Sequence, residues 1–132
     1  MTWDDTQSAS TSISSAEWNN MVTFIKQWPR TAYSSGDTET LTLSQTLISC
    51  DTTGGAITLT LPEAADSLGK LYLVMLETDT GTDVTLTCTG DDVLNAATNT
   101  IATLADVEDW LFIVAISNDR WLIIADNGVA YS

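Results

Sequence analysis

At 132 residues the chain has the size of one ordinary domain, long enough to bury a core without disulfide or metal staples. Hydrophobic residues make up 44% and charged ones 17%, which excludes a disordered acidic tail. Eighteen Asp and Glu against four Lys and Arg give a formal net charge of -14, a balance that repels nucleic-acid backbones and anionic membranes as direct partners.

Two readings of that acidity stay open. One is charge that keeps copies apart in solution. The other is adaptation to a halophilic host, where salt screening makes dense carboxylates tolerable. No apolar run approaches the ~20 residues of a membrane span, and the opening MTWDDTQSAS lacks the basic and apolar regions of a secretory signal.

Residues 1–12 are polar, Ser/Thr-rich and aperiodic, and read as an extended arm. Trp3 is its one large apolar group, an anchor for a pocket of this chain or of a neighbour. Residues 13–29 read as an amphipathic helix. Ser14 and Glu17 have capping-box spacing, and Ile13 with Trp18 occupies the staple positions. Trp18, Met21, Val22, Ile25 and Trp28 then recur at helical spacing as one stripe, and Pro29 ends it. That stripe suits either the protein's own sheet or a partner.

A Ser-Gly-Asp turn at Gly36 opens a region of strands, expected over residues 37–126 with 127–132 as a C-terminal tail. Thr40 to Ser49 alternates through Leu41, Leu43 and Leu47. Ala56 to Leu61 alternates Ile57, Leu59 and Leu61 with threonines. Leu71 to Leu76 is a continuous apolar run, and Thr82 to Thr87 alternates through Val84 and Leu86. After a loop at Gly90, Thr100 to Leu104 reads as a short strand. The run Trp110 to Ile116 and the stretch Trp121 to Ala125 then form a hairpin across Ser117-Asn-Asp-Arg. Seven short strands without intervening helices predict an all-β domain, an antiparallel, jelly-roll-like β-sandwich. Alternating strands bury one face and continuous ones both. The runs at 71–76, 110–116 and 121–124 therefore predict a sheet whose outer face must be covered. The helix can cover part of it, and self-association the remainder.

Chemistry is sparse. Without histidine there is no ordinary base to activate Ser or Cys, and no phosphate-cradling or dinucleotide motif is present, so no enzyme and no cofactor are expected. Zinc lacks ligands. Glu77, Asp79 and Asp83 gather near one turn, but without EF-hand spacing they read as solvated acids rather than a calcium site. Cys88 continues the inward phase of Val84 and Leu86, while Cys50 follows a strand near its rim. One bridge between them is conceivable; two reduced, buried thiols are the favoured reading.

The order of features from Gly55 onward resembles a β-domain of tailed-virus structural proteins, found in tail fibres and head decoration proteins. The features are an alternating strand from Gly55 to Leu61-Pro62, the Gly69-x-x-Tyr72 strand, and Gly81 leading to Val84-Thr85-Leu86. The loop Gly90-Asp91-x-x-Leu94-Asn95 follows, then Asn118-Asp119-x-Trp121-x-Ile123. The helix start Ala16-Glu17-Trp18-Asn19-Asn20 is similar as well. The resemblance implies a virion protein, made in the host cytoplasm and carried on the outer capsid surface. It implies a homotrimer that cements neighbouring major capsid protein subunits. A small tail-fibre or receptor-binding subunit is the alternative. A carbohydrate-binding module using Tyr33, Tyr72 or Trp121 stands further off. Trp3 and the stripe Trp18, Met21, Val22, Ile25 and Trp28 are the candidate partner-binding residues.

Overall fold

The computed structural model describes residues 14–16, 19–20, 30–95 and 98–132. The expected arm and most of the expected helix lie outside these residues. Of the helix, 15–16 and 19–20 are described, with helical backbone and exposed side chains.

Among the described residues there are eleven strands and one 3-10 turn, Ala64–Asp66. The strands are β1 (Arg30–Ser34), β2 (Thr38–Thr40), β3 (Leu47–Asp51), β4 (Ile57–Thr60), β5 (Leu71–Thr78) and β6 (Val84–Thr87). They continue with β7 (Val93–Leu94), β8 (Ile101–Leu104), β9 (Trp110–Ser117), β10 (Arg120–Asn127) and β11 (Ala130–Tyr131). Two sheets result, in the orders β1-β3-β5-β9-β10-β7 and β11-β8-β6-β4-β2. For brevity these are the six- and five-stranded sheets. Both contribute to one core, with Ile48, Val74, Ile113 and Trp121 from the first and Ile57, Leu59, Leu86 and Leu104 from the second. The architecture is sandwich-like and nearly all β.

The antiparallel jelly-roll expectation does not hold. From β1 to β6 the chain alternates between the sheets, so it winds around the core like a coil. Neighbours within a sheet then run the same way: β1, β3 and β5 pair parallel, as do β2, β4 and β6. Parallel pairs need a crossover of a dozen residues or more, ordinarily a helix. Here the strand in the opposite sheet is the crossover, so the described strands β1 to β6 form parallel sheets with no α-helix between them. Among the described strands, antiparallel pairs are β5–β9, β6–β8, β8–β11 and the β9–β10 hairpin.

Two boundaries also move. Thr40 to Ser49 is not one strand. Leu41 enters the core, Leu43 is 53% exposed, and the corner between β2 and β3 is tied by Gln45, whose Oε1 accepts the Thr42 N–H at 2.7 Å. The expected sandwich gains β1 before residue 37, and the expected tail contributes β11, paired with β8.

Threonine has a positional meaning in this winding. Thr38, Thr58, Thr85 and Thr103 are in register across the five-stranded sheet, and Thr40, Thr60 and Thr87 form a second row. Each row faces outward while Leu59, Leu86 and Ala102 between them are buried. β-branched side chains suit such a half-buried pleated surface. Where successive coils turn at the end of the sandwich, hydroxyls stitch the turns together. Thr82 Oγ1 donates to the Thr52 carbonyl at 3.0 Å, and Thr80 Oγ1 to that of Thr53 at 3.1 Å. Asp79 sits in the same stack and accepts the N–H groups of Gly81 (2.7 Å) and Thr82 (3.1 Å) and the Thr52 hydroxyl (3.2 Å).

The first coil is more polar than those it covers. Thr31 and Tyr33 of β1 stand beside Ile48 and Cys50, and Glu39 of β2 stands beside Leu59. A charge on an edge strand discourages further strands from adding there.

Candidate interaction surface

The three continuous apolar runs become β5, β9 and β10, adjacent in the centre of the six-stranded sheet. Tyr72, Val74, Leu76, Leu111, Ile113, Ala115 and Trp121 point into the core and are almost fully buried. The alternate residues point outward, and they are apolar too. One outward row runs Arg30, Leu47, Leu73, Phe112, Ala125 across five strands. The next runs Ala32, Ser49, Met75, Trp110, and another pairs Leu71, Val114 and Leu122. Leu73, Met75, Trp110, Phe112 and Ala125 line a shallow groove of about 310 Å³. Beyond it Ile116, Leu122 and Ile124 are 49%, 38% and 47% exposed. The doubly apolar sheet predicted from the runs is therefore present.

One polar cluster borders the groove. Arg30 Nη2 donates to Ser49 Oγ at 2.9 Å and pairs with Glu77, which also accepts the Ser49 hydroxyl. Both charged side chains are about half exposed, so the pair adds well under ~1 kcal/mol; with Ser49 it links β1, β3 and β5.

The other sequence candidates resolve differently. Trp3, Trp18, Met21, Val22, Ile25 and Trp28 lie outside the described residues. Tyr72 and Trp121, considered for a sugar platform, are core residues whose rings meet at 5.6 Å, and the Tyr72 hydroxyl donates to the Thr42 carbonyl at 2.8 Å. Desolvation pushes that hydroxyl's pKa up to about 12. Of the carbohydrate candidates only Tyr33 stays partly exposed, and its hydroxyl accepts from Gln45 at 2.7 Å.

The acids near the turn act separately. Glu77 holds Arg30 and Ser49, and Asp79 caps its turn. Those hydrogen bonds, led by the Gly81 N–H, hold the Asp79 pKa below its ordinary value. Asp92 is buried and accepts the Ala64 N–H at 2.7 Å, whereas Asp91 is exposed. Among the described residues no three His, Cys, Asp or Glu side chains could hold a metal ion. Cys50 is not at a rim but in the interior of β3, level with Leu76, and both cysteines are free and buried. Desolvation raises their pKa values to about 12 for Cys50 and about 11 for Cys88.

Most of the charge lies in the turns and corners of the sandwich. Among the described carboxylates only Glu39, Asp51, Glu77 and Asp126 lie in strands; the others sit in turns and corners. The two broad faces are thus nearly neutral, one apolar and one of threonine rows. Among the described residues no helix is long and apolar enough to cross a membrane. A comparison with protein-family models finds no match to this chain, and a comparison with curated proteins finds none either.

Proposed function

We propose that this chain is a non-enzymatic structural protein of a tailed-virus particle, a decoration protein that binds the outer capsid shell as an oligomer and cements neighbouring major capsid protein subunits. One observation carries the reading: most carboxylates sit in turns and corners, and the six-stranded sheet leaves an apolar outer face, which suits a part that assembles. Ile116, Leu122 and Ile124 are the residues through which copies would meet. The threefold order and the viral setting come from the motif resemblance alone.

Attachment falls to the Trp3-bearing arm. A dozen extended residues reach about 40 Å, enough to cross a subunit boundary. Ordering such an arm costs about 1–2 kcal/mol per residue, and one buried tryptophan returns only a few. Arms of one oligomer must therefore engage together.

Antibody labelling of intact particles tests the location: label over the head surface supports the decoration reading, and label confined to the tail tip transfers it to a fibre subunit. Light scattering tests assembly. A monomeric mass that persists in both low and molar salt removes the oligomer. Deleting residues 1–12 should leave the oligomer intact and abolish particle binding; unchanged binding removes the arm from the mechanism.

A further inference from the structure

We propose that Asn127 deamidates through attack by the Gly128 nitrogen, and that the carboxylate so formed releases a contact that holds the turn before β9. Asn127-Gly128 is the one Asn-Gly pair in the chain. Asn127 is the last residue of β10 and is exposed, so water reaches its side chain. Gly128 has no Cβ to obstruct attack on the preceding side chain, and no acceptor among the described residues takes its N–H. Nucleophile and amide are both accessible. A side chain at 128 would slow the reaction, but the buried Asp109 fills that space: a Cβ there would fall 1.8 Å from Asp109 Oδ1. The fold therefore retains the reactive pair.

The Gly128 nitrogen bonds to Asn127 Cγ and gives its proton to solvent, while the Cγ–Nδ2 bond breaks and ammonia leaves. Water then opens the cyclic imide. Attack at the side-chain carbonyl gives aspartate; attack at the backbone carbonyl gives isoaspartate, whose main chain carries one extra methylene. Water is the sole co-reactant. The consequence falls on the turn that Asp109 closes by donating its N–H to the Asp106 carbonyl at 3.1 Å. Asn127 Nδ2 donates to the Glu108 carbonyl at 3.3 Å, and Glu108 is held at a left-handed φ of 72°. Such a conformation persists only where its surroundings hold it. Conversion replaces the Nδ2 donor with an oxygen that repels the Glu108 carbonyl. It also adds a negative charge next to Asp126 in sequence and near Asp109, which packs on Gly128. In the isoaspartate form the added methylene lies between Asn127, paired with Trp110, and β11, paired with β8. Both changes loosen the same corner, and neither involves the apolar face through which copies would meet.

Peptide mapping of the full-length protein, aged at mildly alkaline pH under native conditions and in parallel in denaturant, tests the chemistry. In the folded protein Asn127 should convert to a mixture of aspartate and isoaspartate several-fold faster than Asn95, Asn99 or Asn118, with the isoaspartate revealed by isoaspartyl methyltransferase labelling. An Asn127 that survives in the folded chain while the denatured chain loses it would mean that the strand end shields the amide. That result overturns the proposal, as does conversion no faster than at the other three asparagines. Asn127→Asp reads the consequence without ageing. It should melt several degrees below the wild type and also below Asn127→Ser, which removes the donor without adding charge. An Asp variant as stable as the wild type or as the Ser variant overturns the release of the turn.

Discussion

Gly128 and Asp109 occupy space that only a glycine permits. A Cβ on Gly128 would fall 1.8 Å from Asp109 Oδ1, and the Gly128 φ of +73° is left-handed. Asp109 is 4% exposed, and its Oδ2 accepts the N–H groups of Ala105 and Asp106, each at 3.0 Å. Gly128→Ala therefore has to strain the backbone and push a buried carboxylate off two donors. Together these cost about 2–4 kcal/mol. Chemical denaturation of the variant checks it; a loss below ~1 kcal/mol would show that the turn simply moves aside.

Asp79 gives the fold an acid limit. Its depressed pKa means that the folded turn favours the ionised carboxylate. The contribution is therefore complete above the ordinary value of 3.8 and is lost as the pH falls through the lowered one. Asp51 acts with the same sign at the neighbouring turn, its carboxylate held down chiefly by the Thr53 hydroxyl. Thermal melts of the wild type and Asp79→Asn should differ most near neutrality and converge below pH 4. A gap that stays constant across that range would contradict the assignment.

How far the sequence reaches is clear at particular residues. Ile57, Leu59, Val84 and Leu86 announce their strands because one face is buried, and β9 and β10 announce their hairpin because the turn is local. The doubly apolar sheet is legible for the same reason: Leu73, Met75, Trp110 and Phe112 sit inside continuous runs. Pairing direction is not legible, since periodicity says which way a side chain points but nothing about which strand lies beside it. Thr40 to Ser49 shows the limit. Leu41 and Leu47 alternate as in a strand, yet the chain between them turns a corner from one sheet to the other. The meeting of Arg30, Ser49 and Glu77 depends on the register of three strands, and no local signal encodes it.

The two thiols should be silent. With pKa values of about 12 and about 11, roughly one Cys50 in ten thousand and one Cys88 in a thousand is thiolate at pH 8. Burial withholds even these. A maleimide or disulfide reagent should label neither residue in the native protein and both in denaturant. Rapid native labelling of Cys50 would mean that β3 opens readily.

Glu39 should act as a guard on the open edge of the five-stranded sheet. Glu39 is exposed and in register with the buried Leu59 of β4. Glu39→Leu removes the charge and extends the apolar layer to the edge, so that another chain can add there. Size-exclusion chromatography should show larger species for this variant and none for Glu39→Gln beyond those of the wild type. Identical elution of all three would leave β2 without that role.

The coiled path also sets how the protein can fold. Of the pairings among the described strands, only β9–β10 joins neighbours in sequence; every other one must close a loop through the opposite sheet. Closing such loops costs entropy before any contact repays it, so folding belongs to the slow, non-local regime of milliseconds to seconds. The hairpin is the one element that can form early, and the parallel turns of the coil must be wound onto it afterwards. Weakening β9 or β10, for example by Ile113→Val, should slow folding. Weakening β1 through Thr31→Ala should mainly speed unfolding. The reverse pattern in stopped-flow kinetics would mean that winding starts from the other end.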